Sequence, residues 1–161
     1  MHLSCKTLLI ILITALPGCD AQILKPSGNS SRDISDIAET SKKAQIAYQN
    51  KDWETAEIEY LKLTKKVPTE AEPWFRLGNI YARTDQLDAA IAAYRNALIR
   101  DSGNSKIWNN LGIVQLRQAT NTFIEMLEYT NADDPLNARA KNVINSVSNL
   151  MGSGFEAVGK E

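Results

Sequence analysis

The stretch that decides the fold is Ala71 to Asn104, AEPWFRLGNIYARTDQLDAAIAAYRNALIRDSGN. Shifted by 34 residues, the chain falls on itself: Trp74, Leu77 and Gly78 meet Trp108, Leu111 and Gly112. In the other direction Ala56 and Tyr60 meet Ala90 and Tyr94, and Trp53 meets Leu87. A fixed period of this size marks a stacked-repeat architecture, in which no unit buries its apolar face alone. The residue types describe how each unit packs. Gly78 and Gly112 are small where two helices cross closely, and Ala56 and Ala90 are small where the second helix packs back. Trp, Leu and Tyr fill the space between neighbouring hairpins.

Residue types and period together resemble the tetratricopeptide repeat (TPR). The resemblance implies an all-α fold, a TPR-type helical-hairpin solenoid of about two and a half repeats with a C-terminal capping helix. The copy at 71–104 is clearest, with Trp74, Leu77, Gly78, Tyr81, Leu87, Ala90, Tyr94 and Ala97 in place and Ser102 where a closing Pro is usual. The copy at 37–70 is weaker. It keeps Ala44, Trp53, Ala56, Tyr60 and Pro68, but Thr40 and Lys43 stand where the first helix usually has Trp and Leu. The third unit, 105–134, departs from the pattern, because no turn residue follows Gly112 until Asn131-Ala-Asp-Asp-Pro135. A diverged hairpin there needs one inserted residue and puts Phe123 where Ala belongs. The favoured reading is one long helix from about Lys106 to Thr130. A capping helix at 135–151 is marked by Asp134 as cap, Pro135 in the first turn and a stripe of Leu136, Ala140, Val143, Ile144, Val147, Leu150 and Met151. Residues 152–161 read as a loose tail.

The N-terminus carries a different signal. A polar start with Lys6 precedes the apolar run Thr7–Leu16, TLLIILITAL, whose ten residues rise only about 15 Å as a helix, half a hydrocarbon core. That pattern fits a secretory leader. The leader ends in Leu16-Pro17-Gly18-Cys19, which resembles the bacterial lipobox. The resemblance implies that residues 1–18 are a cleaved lipoprotein signal peptide, that Cys19 receives the lipid (a diacylglycerol, with palmitate-type chains), and that the protein faces the periplasm from a membrane. Asp20 resembles the enterobacterial signal for inner-membrane retention and leans to that membrane; inner or outer stays open. Residues 19–35, with Pro26, Gly28 and several Ser, read as the lipidated cysteine and a flexible tether. The domain then begins at residue 36.

Composition narrows the chemistry. With 18 basic and 19 acidic residues in 161, the net charge of −1 gives no long-range attraction to nucleic acid. The single histidine is His2, and both cysteines, Cys5 and Cys19, lie at the N-terminus. The mature chain therefore has no Ser–His or Cys–His pair, no Cys-based metal site and no phosphate-cradling loop. We expect no enzyme activity, catalytic residue, metal, cofactor or small-molecule substrate.

Binding remains. In TPR proteins the first helix of each repeat lines a groove. By position, the groove residues here would be Gln45, Tyr48, Gln49, Phe75, Asn79, Ala82, Arg83, Lys106, Asn109, Ile113, Leu116 and Arg117. Asn79 and Asn109 are candidates to bond a peptide backbone, with Phe75 and Tyr48 as apolar anchors. The family's carboxylate-gripping mode is not expected: Lys106 and Asn110 fit two of its positions, but Ser41, Gln45 and Arg76 hold the others and Ser41 removes a cation. The expected role is a membrane-anchored scaffold for protein or peptide partners in the cell envelope, similar to small TPR lipoproteins of pilus assembly or secretion systems. The alternative is a regulator or recruiter of peptidoglycan-acting enzymes.

Overall fold

The computed structural model describes residues 28–152, with side chains over 31–150. Six helices follow in series: α1 (Gly28–Gln49), α2 (Trp53–Lys66), α3 (Ala71–Arg83), α4 (Leu87–Arg100), α5 (Ser105–Tyr129) and α6 (Pro135–Gly152). No strand occurs among the described residues, which form an all-α solenoid of helical hairpins. Each helix packs on its neighbours in sequence, and α3 also touches α5. No helix among the described residues is long and apolar enough to cross a membrane. Cys19 and the leader lie outside the described residues, as does residue 153 onward.

Short-range chemistry sets the helix boundaries. The Asp52 carboxylate caps α2 by accepting from the Thr55 N–H at 3.2 Å, and Lys65 and Lys66 oppose the dipole at its end. Pro73 falls in the first turn of α3, where its missing N–H costs nothing. Asn104 caps α5 through the Lys106 N–H at 3.1 Å. As expected, Asp134 caps α6, accepting from the Leu136 N–H at 2.8 Å.

The two complete hairpins turn identically. Lys51 and Asp85, 34 residues apart, are the non-glycine residues at positive φ among the described residues, both near 60°. The residue after each closes the preceding helix with a 6→1 bond, Asp52 N–H to Ala47 O and Gln86 N–H to Tyr81 O, both at 2.9 Å. The next equivalent position is Ala119, in the middle of α5. Alanine has the highest helix propensity and no side chain to support a left-handed turn. The helix therefore continues for 25 residues, as the long-helix reading expects.

Two cores share α3. One gathers Ala44, Ala47, Ala56, Tyr60, Leu63, Leu77, Ile80 and Ala93; the other gathers Phe75, Ala90, Ile91, Tyr94, Ala97, Ile107, Leu111 and Val114. Trp74 and Tyr81 pack against both. Gly78 marks the closest crossing, since a Cβ there would lie 2.4 Å from Tyr94 Cε1. In the weaker first copy, Thr40 stands in the place of Trp and is buried as a polar clip. Its hydroxyl donates to Asp36 O at 2.8 Å and accepts from Lys66 Nζ at 2.7 Å, and Lys66 also pairs with Asp36. The clip ties α1 to the end of α2 without an aromatic ring.

One boundary needs correction. Residues 28–35, expected in the tether, form the first two turns of α1. Their side chains from Ser31 on are exposed, Ile34 among them. Apolar periodicity is absent, and among the described residues this part of α1 has no partner to face. A helix nucleated by packing farther along still propagates into it at low cost per residue.

Candidate functional site

A groove of about 690 Å³ lies among α1, α2 and α3. From α1 come Ser41, Gln45, Tyr48 and Gln49, from α2 Tyr60 and Leu63, and from α3 Arg76. Helix periodicity puts these α1 residues on one face, because Ser41, Gln45 and Tyr48 are spaced by four and three. The centre of the groove is aromatic. Tyr48 meets Trp53 and Tyr60 edge-on, with ring centroids at 5.5 and 6.2 Å. The Arg76 guanidinium lies over the Tyr48 ring at 5.0 Å, and its Nε bonds the Glu72 carboxylate at 2.7 Å. Burial works against the charge on Arg76, but Glu72 and Tyr48 outweigh it and raise its pKa, so it stays a cation. Burial pushes the Tyr60 hydroxyl up to about 12, so it is a neutral donor at physiological pH. The groove thus combines amide and hydroxyl hydrogen-bonding groups, flat aromatic surface and one fixed cation. That set suits an extended polypeptide, whose backbone needs donors and acceptors and whose side chains need apolar seats.

A second cleft of about 290 Å³ lies where α3 and α5 begin, lined by Glu70, Glu72, Phe75, Arg100, Asn104 and Ile107 among others. Glu72 borders both clefts.

The structure divides the residues that sequence position assigned to one groove. Gln45 and Tyr48 line the α1–α3 groove with Gln49. Phe75 is not a free anchor. It is buried against Tyr94, ring centroids 6.2 Å apart, and only edges the second cleft. Asn79 is corrected outright: it is 5% exposed, and its Oδ1 accepts from the Tyr94 hydroxyl at 2.8 Å and from Asn110 Nδ2 at 2.9 Å. Its side chain locks α3 to α4 and α5, and no peptide reaches that oxygen. The same bond commits Asn110. Ala82 is likewise buried.

Arg117 is a structural clip. It donates to Ala82 O and to the Asp85 carboxylate, both at 2.8 Å, holding α5 against the α3–α4 turn. Arg83 lies over the Trp53 ring at 5.6 Å and ties the end of α3 to the start of α2. Lys106, Asn109 and Leu116 are exposed on α5 and Ile113 is half-buried; they line neither of these two clefts. Position alone did not reveal the α2 contribution of Tyr60 and Leu63, since second helices are expected to face away from the groove.

A search of curated proteins finds no match to the chain. The tetratricopeptide repeat family matches residues 71–104, so the segment that carries the sharpest Trp–Leu–Gly and Ala–Tyr pattern, and the tightest helix crossing, is a tetratricopeptide repeat.

Proposed function

We propose that the protein is a lipid-anchored adaptor of the bacterial envelope that uses the groove among α1, α2 and α3 to hold a polypeptide partner. The single observation that carries the binding part is that groove. It is about 690 Å³ and brings Gln45, Tyr48 and Arg76 from two different helices to one surface. The tetratricopeptide repeat beside it supports the same reading, because such repeats typically bind protein partners. The anchor rests on the sequence Leu16-Pro17-Gly18-Cys19 behind an apolar leader. A diacylated or triacylated cysteine holds a soluble domain stably at a bilayer, at about 0.8 kcal/mol per buried CH₂. The resemblance to small TPR lipoproteins points to assembly of a pilus or secretion machine as the setting.

A short groove gains most from such an anchor, because tethering near the target raises effective concentration without new contacts. Two experiments test the parts separately. A photo-crosslinking residue at Gln45 should yield one defined protein adduct in cells, and the same residue at exposed Lys65 should not. Absence of any Gln45 adduct would overturn the groove. Cys19→Ser should move the protein from the membrane to the soluble fraction, and retention at the membrane would overturn the anchor.

A further inference from the structure

The third repeat begins like the second but is not completed like it. Trp108, Leu111 and Gly112 repeat Trp74, Leu77 and Gly78. In the second repeat these residues are covered by α4. Tyr94 lies so close to Gly78 that a Cβ would meet its ring at 2.4 to 2.9 Å, and Arg100 lies over the Trp74 ring at 5.0 Å. In the third repeat nothing among the described residues lies within 4 Å of a Cβ built on Gly112. Trp108 is 54% exposed and Ile99 is 80% exposed. Between α4 and α5 an apolar cleft of about 600 Å³ remains, lined by Leu98, Ile99, Trp108, Leu111, Gly112 and Gln115 with Arg95 at its rim. The backbone differs at Ala119, which is helical where Lys51 and Asp85 turn. Because α5 runs through the position where the first two repeats turn, the second helix of this repeat never arrives at its place.

We propose that this cleft is a seat for one further helix, supplied by a protein partner. The filled seat one repeat earlier defines its chemistry. The occupant is an amphipathic helix with a small residue four before an aromatic, a small residue three after it and a cation six after it, as Ala90, Tyr94, Ala97 and Arg100 are in α4. The aromatic ring lies on Gly112 and the cation over the Trp108 ring, whose indole N–H is already held by Ser102 O at 2.9 Å. Among residues 1–161 that pattern occurs in α4 alone. A second copy holds its own Ala90, Tyr94 and Ala97 at 0% exposure. Helix α6 has no aromatic residue and packs on α5 with Gly112 left open. Of the residues outside the structure only Phe155 is a Phe, Tyr or Trp, and Met151 stands four before it where a small residue belongs while Glu161 stands where the cation belongs. The seat is thus assigned to a helix of a protein partner.

The test uses the full chain and a synthetic helix of the sequence 86–101, hydrocarbon-stapled through its outward-facing Ala92 and Asn96. The wild-type protein should bind this peptide with saturable affinity. Gly112→Leu fills the seat in open space, so the variant should melt no lower than wild type and bind the peptide at least tenfold more weakly, about 1.4 kcal/mol. A peptide with Arg100→Gln should bind several-fold more weakly to wild type. Arg76→Ala, in the other groove, should leave peptide binding unchanged, which separates this seat from the proposed α1–α3 site. No binding to wild type, or equal binding to Gly112→Leu, would overturn the proposal. A wild-type dimer in sedimentation that Gly112→Leu dissociates would also overturn it, by making a second copy the occupant.

Discussion

Gly78 and Gly112 occupy the same place in successive repeats, and the structure predicts opposite consequences for the same change. Gly78→Ala puts a Cβ 2.4, 2.5 and 2.9 Å from Cε1, Cδ1 and Cζ of Tyr94. The ring has no room to yield, since Tyr94 is fully buried and its hydroxyl is bonded to Asn79 at 2.8 Å. Overpacking of this kind costs about 1–3 kcal/mol, and displacing the ring also strains or breaks a buried hydrogen bond, about 1 kcal/mol. Replacing a mid-helix glycine returns about 0.5–1 kcal/mol. The net expectation is a loss of about 1–3 kcal/mol. Gly112→Ala meets nothing within 4 Å among the described residues, so only the propensity term remains. It should gain about 0.5–1 kcal/mol. Urea unfolding followed by circular dichroism, with the m-value checked for constancy, separates the two by about 1.5–4 kcal/mol. Shifts of the same sign in both variants would refute the claim that the third repeat lacks its covering helix.

Other perturbations read other joints. Arg117→Ala removes the bonds to Ala82 O and Asp85 and should lower stability by about 1–2 kcal/mol, visible as faster amide exchange at the α3–α4 turn. Ala90→Trp should overpack a fully buried position between α3 and α4 and cost about 1–3 kcal/mol or more; an unchanged Tm would contradict the repeat register. Burial lifts Tyr60 and Tyr81 to about 12, with a hydrogen bond to Glu57 adding to Tyr81, and burial raises Tyr94 as well. A folded pKa raised above the unfolded value, about 10, means the unfolded state releases protons first. Stability should therefore be intact below about pH 10 and fall as pH rises toward 12. Alkaline melts followed by tyrosinate absorbance check the sign, and a Tm that rises over this range would contradict it.

Much of the architecture was legible in the residues because it rests on local and periodic information. The 34-residue spacing of Trp, Leu, Gly, Ala and Tyr gave the hairpins, and Asp134-Pro135 gave the start of α6. The run without turn residues after Gly112 gave one long α5. The tether boundary was not legible, because a helix extending past its partner carries no apolar stripe. The candidate groove was only partly legible. Gln45 and Tyr48 were found by position, but Tyr60 and Leu63 reach the same surface from α2, and only the crossing angles of the helices decide that.

The sequence by itself determined that Gly78 and Gly112 are equivalent, because equivalence is a matter of period. Tertiary structure alone decided that one glycine is crowded and the other bare. A glycine's role depends on what is packed against it, and at Gly112 the difference is that α5 continues as a helix past the position where the first two repeats turn. Tertiary structure likewise decided that Asn79 and Arg117, polar residues at groove positions, spend their hydrogen bonds inside the fold. Polarity at a position is written in the chain; whether a partner can reach it depends on neighbours distant in sequence.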